Sequence, residues 1–172
     1  MNFYYDELKT PLGPMTILMK ENSVVRLDWG KAPELKSFGE TWLNKHYPNE
    51  DFSVKPAHLE QEKERLQNYF FGKNELTDLE LKLVGTPFQK KVWTYLYQSV
   101  AYGKTVTYKQ LAVAVGNEKA VRAVGGAVNK NPLTLIVPCH RVIGSDGKLV
   151  GYNGGIDKKK YLLQHEQDVF NK

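Results

Sequence analysis

The chain has 172 residues, of which 41% are apolar and 25% charged, so it can bury an ordinary core and carries no polar tract typical of disorder. Its single cysteine excludes an internal disulfide, and a four-ligand zinc site would have to recruit its histidines. Neither a signal peptide nor an apolar run near the roughly 18 residues of a membrane span is present, so we expect a cytoplasmic protein with no membrane partner.

Charge is distributed unevenly along the chain. Residues 1–86 carry 11 Lys and Arg against 14 Asp and Glu, a balance of −3, whereas residues 87–172 carry 13 against 5, a balance of +8. A basic half indicates either a polyanionic partner such as nucleic acid or a solvated lysine-rich surface. Charge alone does not decide between these two interpretations.

The first 84 residues predict a small unit of strands and helices. FYYDEL and MTILMK are typical of strands, and a turn at residues 21–23 joins MTILMK to VVRLDWG as a hairpin. Residues 33–46 and 57–71 have helical patterns, and Gly72 ends the second helix. We expect an α+β domain over residues 1–84.

A second, mainly helical domain is predicted over residues 85–172. Thr86 suits an N-cap and Pro87 suits the first helical position, and apolar residues follow at helical spacing. Thr107 caps a further short helix, which a polar turn separates from a helix over residues 118–128. Two short helices around a tight turn indicate a helix-turn-helix.

The second helix of this pair offers mostly small residues and one long side chain, Arg122. A helix that reads bases in a major groove needs Asn, Gln or Glu side chains, and this helix has almost none. Two adjacent glycines inside a helix cost about 1 kcal/mol each relative to alanine, so either close approach to a partner or tight helix–helix packing must favour them. The small residues of this face are Ala120, Ala123, Gly126 and Ala127.

The only cysteine follows an apolar run. Residues 134–137 predict a buried strand that leaves Cys139 at its end, facing a cleft, with residues 144–155 as a loop over it. A lone cysteine is either a small buried apolar residue or a nucleophile, and a nucleophile requires a depressed pKa. His140 and Glu166 supply the other parts of a relay in which the acid orients the imidazole and the imidazole takes the thiol proton.

Several motifs occur together in one order: Tyr108, RAVGGA at 122–127, Asn131 with Pro132, PCHRV at 138–142, GYNGG at 151–155 and LLQHE at 162–166. In this order they resemble the O6-alkylguanine-DNA alkyltransferases. The resemblance covers roughly residues 85–167 in motif detail, and the amino-terminal part matches only in its α+β character. It implies direct repair of O6-alkylguanine, and in some cases O4-alkylthymine, in double-stranded DNA by one irreversible transfer to the protein.

The resemblance also implies catalytic roles. Cys139 would be the acceptor thiolate, His140 a base acting through a bound water, and Glu166 the residue that fixes the imidazole. Asn131 would support the turn around the thiol, and Tyr108 would donate a proton toward the leaving guanine. No cofactor takes part, and the cysteine set that binds zinc in some relatives is missing, so we predict no metal.

The implied DNA contacts centre on Arg122, which would enter the duplex and fill the gap left by the everted base. A helix of small residues suits a minor groove, and lesion search does not need base-reading side chains. The residues predicted to contact DNA are Tyr108, Arg122, Ala123, Gly126, Ala127 and Arg141. We expect a monomer, and the sequence leaves open whether copies bind DNA cooperatively.

The implied base pocket is built largely from backbone groups. The carbonyls of Cys139 and Val142 would read the guanine amino group, and Tyr152 belongs to the same pocket. Asn153 stands where many relatives carry a serine or another residue, so only its backbone N–H is assigned, to guanine O6. The sequence does not determine whether methyl or bulkier alkyl groups are preferred.

Three alternative functions stay open. A non-enzymatic lesion-binding relative would carry tryptophan in place of the cysteine, so Cys139 argues against it. A cysteine hydrolase would turn over an ester repeatedly. A helix-turn-helix regulator with an inert thiol would bind DNA in a sequence-dependent manner.

Overall fold

The computed structural model describes residues 1–73 and 76–172, with the side chains of all of these except 36–38. Contacts between Cα positions divide the chain into two compact units, Met1–Val84 and Gly85–Lys172. The first unit combines a mixed sheet with helices and the second is mainly helical, so the predicted α+β class is confirmed. None of the described helices combines the length and apolarity that a membrane crossing needs.

The described part of the first unit holds a four-stranded sheet in the order β3-β2-β1-β4. Its strands are β1 (Asn2–Thr10), β2 (Gly13–Lys20), β3 (Ser23–Trp29) and β4 (Ser53–Pro56). The predicted strands correspond to β1, β2 and β3, which pair antiparallel in chain order. Strand β4, which pairs parallel with β1, was not predicted, because a short and fully exposed edge strand shows no apolar alternation.

Helices α1 (Ala32–His46) and α2 (Glu60–Phe70) complete the first unit. Pro33 lies in the first turn of α1, where its missing N–H costs nothing. Beyond α2, Gly72 has φ 81°, a conformation that favours glycine. A core cluster joins the sheet to α1 through Phe3, Leu18, Val25, Leu43 and Tyr47.

The described residues of the second unit form four α-helices and one short parallel strand pair, besides a short 3-10 helix. They are α3 (Pro87–Ser99), β5 (Val106–Thr107), α4 (Tyr108–Ala114), α5 (Val121–Asn129), β6 (Val142–Ile143) and α6 (Ile156–Phe170). The predicted caps are confirmed: the Thr86 hydroxyl accepts from the Gln89 N–H, and the Thr107 hydroxyl accepts from the Gln110 N–H. Each glutamine side chain accepts in return from the N–H of its threonine, which fixes the start of both helices.

Helices α4 and α5 form the predicted helix-turn-helix. Helix α5 starts at Val121, three residues later than predicted, because the backbone turns between Asn117 and Ala120. The Asn117 side chain accepts from the Lys119 N–H and stabilises that turn. Trp93 of α3 donates its indole N–H to the Ala127 carbonyl at 2.8 Å, so α5 packs against α3 through its buried side.

Candidate active site

The segment before the thiol is a buried turn, and the prediction of a strand over residues 134–137 was wrong. The Val137 N–H donates to the Leu133 carbonyl at 2.9 Å, and Leu135 has φ 74°, outside the range of a strand. Asn131 holds the turn from inside, because its side chain donates to the Val137 carbonyl and accepts from the Leu133 N–H, both at 2.9 Å. The run is apolar because it is buried, and the hydrogen bonds named above close within residues 131–137.

Cys139 begins a short 3-10 helix, Cys139–Arg141, and is 4% exposed. The two residues that follow it reach α6. His140 Nε2 lies 2.7 Å from Glu166 Oε1, and Arg141 donates to both Glu166 oxygens at 2.9 Å. The Gly103 N–H also lies 3.3 Å from Glu166 Oε2. The fold thus brings together the thiol segment and an acid 26 residues beyond His140, as the relay hypothesis requires.

The prediction that Arg141 contacts DNA was wrong. Its side chain is buried. Two of its nitrogens donate to Glu166, and the third donates to the Val100 carbonyl at 2.7 Å. The 3-10 turn directs it inward, and the bidentate carboxylate compensates its charge there. Arg141 therefore belongs to the buried network beside the thiol.

The electrostatics of this network set the protonation of His140. Burial alone would raise the pKa of Glu166, but the adjoining His140 and Arg141 hold that pKa well below its ordinary value. Burial lowers the pKa of His140, and Glu166 opposes that shift. Since an ionised carboxylate can only accept, neutral His140 donates from Nε2 and keeps its lone pair on Nδ1. Among the described residues, Nδ1 has no hydrogen-bond partner.

The thiol itself differs from the expectation of a depressed pKa. Burial raises the pKa of Cys139, because a thiolate is poorly solvated in the interior. The Asn131 side chain, the Lys159 ammonium and the N–H groups of Cys139 and His140 act in the opposite direction without reversing the shift. The resting thiol therefore keeps its proton near neutral pH, and its activation needs a base.

Lys159 is a site residue that the sequence did not reveal. It is fully buried on α6, and its Nζ donates to the carbonyls of Val142 at 2.6 Å and of Val150 and Gly151 at 3.2 Å. Burial lowers the pKa of Lys159, and Cys139 opposes that shift. Within the run KKK it resembles a solvated lysine, but helical spacing puts it on one face with the buried Leu162 and Glu166.

Tyr108 lies at the start of α4 and is half-buried. Its hydroxyl donates to the Val150 carbonyl at 3.0 Å, which joins α4 to the loop over the thiol. Burial raises the pKa of Tyr108, and Cys139 adds to that shift. Tyr108 and Cys139 are thus close enough to interact electrostatically.

The predicted pocket residues lie on β6 and on the loop that follows it. Val142 is buried, and its carbonyl accepts from Lys159; a carbonyl has two lone pairs, so a second donor can still bind. Tyr152 is half-buried and Asn153 is exposed. The Asn153 side chain donates to the Asn129 carbonyl at 2.9 Å.

The exposed face of α5 carries three of the four residues of this helix predicted to contact DNA. Arg122, Ala123 and Gly126 are exposed. Ala127 is 3% exposed, so the prediction that it shares this face was wrong. A step of 100° per residue places position 127 toward α3, where its carbonyl binds Trp93. In the described residues no group of three or more His, Cys, Asp or Glu side chains is placed to hold a metal ion.

Comparison with known proteins covers both units. The model of the 6-O-methylguanine DNA methyltransferase DNA-binding domain matches residues 87–168, and that of the ribonuclease-like domain of the same protein matches residues 3–83. A methylated-DNA–protein-cysteine methyltransferase of Methanosarcina barkeri is 42% identical, over 96% of this chain and 98% of the relative. A protein of that name described as constitutive, from Bacillus subtilis, is 39% identical, over 95% of each chain.

Solved structures agree with this result. The crystal structure of Mycobacterium tuberculosis OGT in complex with DNA has a TM-score of 0.79 and 33% identity, and covers 96% of this chain and 94% of its own. The O6-methylguanine-DNA methyltransferase of Pyrococcus kodakaraensis has a TM-score of 0.73 and 26% identity, and covers 95% and 98%. The resemblance first seen in the motifs of the second unit thus extends through the first, and the chain belongs to the 6-O-methylguanine DNA methyltransferase family.

Proposed function

We propose that this protein repairs O6-alkylguanine in double-stranded DNA by moving the alkyl group, once and irreversibly, to Cys139. The chain is a methylated-DNA–protein-cysteine methyltransferase that acts on DNA. The observation that carries the proposed residue roles is the buried network in which His140 adjoins the only thiol and shares Glu166 with Arg141. The alkyl preference and the single turnover are parts of this proposal.

The network provides a path for the thiol proton. Neutral His140 accepts it at Nδ1, directly or through one water, while Nε2 stays bonded to Glu166. The ionised carboxylate stabilises the imidazolium that forms, and Arg141 keeps that carboxylate ionised. Because the proton has left, the buried sulfur becomes a poorly solvated and therefore reactive thiolate.

The alkyl group is then transferred in a single displacement. The thiolate sulfur forms a bond to the alkyl carbon as the bond from that carbon to guanine O6 breaks, and the electron pair passes to the guanine. Tyr108 supplies a proton to the departing base, and the Lys159 ammonium attracts the thiolate before transfer. The product is a thioether with no hydrolysable bond, so each molecule acts once.

The exposed face of α5 is the proposed contact with the minor groove. A Cβ added at Gly126 would meet no atom within 4 Å, and one at Gly125 would meet only the Tyr108 ring at 4.0 Å. Helix–helix packing therefore does not require either glycine, which favours close approach to an external partner. Arg122 is the long exposed side chain on this face, suited to replace an everted base in the stack.

Intact mass spectrometry tests the proposal directly. The protein is incubated with a duplex that contains one O6-methylguanine, and we expect a mass gain equal to one methyl group in place of a hydrogen. Peptide mapping should locate that gain on Cys139, and the guanine should be restored in equal amount. Unmodified duplex is the matched control and should leave the mass unchanged.

The variant Cys139→Ser separates this proposal from its rivals. It should keep its fold by circular dichroism, bind the duplex and gain no mass. Repeated turnover of an ester by the wild type would instead favour a cysteine hydrolase, and a fixed preference for one DNA sequence would favour a regulator. A wild-type protein whose mass does not change in the presence of the lesion would refute the proposal.

A further inference from the structure

The side chain of Asn153 connects the loop over the thiol to the end of α5. Its Nδ2 donates to the backbone carbonyl of Asn129 at 2.9 Å. Asn129 is the last residue of α5, so its carbonyl has no acceptor role within the helix. The Asn153 amide caps this end from outside, where a donor interacts favourably with the negative end of the helix dipole.

Residues 150–153 of the same loop are also bonded to α4 and α6. Tyr108 of α4 donates to the Val150 carbonyl at 3.0 Å. Lys159 of α6 donates to the carbonyls of Val150 and Gly151, both at 3.2 Å. The segment is therefore bonded to α4, α6 and α5, and the Asn153 side chain makes a bond to α5. Helix α5 is also the element proposed to lie on DNA.

We propose that Asn153 is a positioning residue that sets which alkyl groups the site accepts, by holding residues 150–153 against the end of α5. This inference rests on the proposed function, because it takes Tyr152 and the backbone of Asn153 as one wall of the pocket for the everted guanine. The wall faces guanine O6, which carries the alkyl group. With the amide bonded, the wall stays close and favours methyl; with the bond removed, the wall moves outward and admits a bulkier group.

Two duplexes of one sequence, carrying either O6-methylguanine or O6-benzylguanine, provide the test. The measured quantity is the ratio of the single-turnover rate constants for methyl and benzyl transfer, with protein in excess. Asn153→Asp keeps the shape of the side chain. It replaces the amide donor with a negatively charged carboxylate oxygen, which cannot donate to the Asn129 carbonyl. We expect the ratio to fall roughly 3- to 10-fold, in keeping with the loss of one hydrogen bond. Both duplexes carry the same phosphates, so any change in general DNA attraction cancels.

Asn129→Ala is the matched control, because the acceptor is the backbone carbonyl and survives the substitution. Its ratio should stay within about twofold of the wild type. Amide hydrogen exchange of a peptide spanning residues 149–155 should speed up in Asn153→Asp and not in Asn129→Ala. An unchanged ratio in Asn153→Asp, or an equal change in both variants, would overturn the inference. Reaction of the wild type with neither duplex would instead refute the proposed function, and this inference with it.

Discussion

Each unit buries an arginine beside a carboxylate, and the two pairs are built differently. In the first unit Arg26 binds Asp28, two residues along the same strand, at 2.6 and 3.0 Å. In the second, Arg141 binds Glu166 on a different element, and Glu166 also binds His140, which adjoins Cys139. A buried ion pair is therefore not by itself a sign of a reactive site. The distinguishing feature is a hydrogen-bonded residue that connects the carboxylate to a nucleophile.

The pKa directions show the same difference. Burial lowers the pKa of Arg26 and raises that of Asp28, so each group is less easily ionised than in water although the other is adjacent. Glu166 is more deeply buried than the half-buried Asp28, yet His140 and Arg141 hold its pKa well below the ordinary value. In the Arg26–Asp28 pair, desolvation outweighs the attraction between the two charges. In the second unit, Arg141 and His140 keep Glu166 ionised, so Glu166 can stabilise an imidazolium.

The largest expected effect is on the rate of methyl transfer, and it distinguishes Glu166 from Asp28. Glu166→Gln removes the charge that stabilises the imidazolium and places an amide N–H against the Arg141 guanidinium. We expect the single-turnover rate of methyl transfer to fall roughly 10²- to 10⁴-fold. Leaving Arg141 without its counter-charge should also lower the free energy of unfolding by about 3–5 kcal/mol.

Asp28→Asn is the control, because it breaks a buried pair with no connection to the thiol. It should lower the free energy of unfolding and leave the transfer rate of the folded protein unchanged. Rates are measured on samples shown to be folded by near-ultraviolet circular dichroism. A transfer rate reduced equally in both variants would mean that the two pairs do not differ in function.

A smaller contrast lies between the two arginines. Arg141→Lys keeps the charge but loses the bidentate geometry and the bond to Val100, so Glu166 should be held less firmly. We expect transfer to slow about 10-fold and its pH profile to shift, because the carboxylate and His140 titrate as a coupled pair. Arg26→Lys should leave both the rate and the profile unchanged. A shifted profile in Arg26→Lys would contradict this separation.

Local chemistry explains which features the sequence predicted. Thr86 and Thr107 were identified as caps because an N-cap depends on the residue itself and on the first turn that follows it. The strand over residues 134–137 was wrongly predicted because burial on all sides gives the same apolar run as a central strand, and only tertiary structure distinguishes them. Cys139, His140 and Glu166 were identifiable as components. The inward direction of Arg141 depends on how α6 packs, which no local pattern encodes. For Lys159 the only local signal is its helical spacing from Leu162 and Glu166.

The two ion pairs are expected to give the stability of the folded chain opposite dependences on pH. Because His140 and Glu166 have pKa values below 6.5 and 4.5 in the folded chain, the stability they contribute is present above those values and is lost as pH falls. Asp28 has a pKa above 3.8, so its contribution is present below that value and is lost as pH rises. We expect the free energy of urea unfolding to drop by on the order of 2 kcal/mol between about pH 4.5 and about pH 3, where Glu166 gains its proton in the unfolded chain. Below about pH 4.5, Glu166→Gln should flatten this dependence and Asp28→Asn should steepen it. Equal slopes in the two variants would show that both carboxylates respond to burial in the same way.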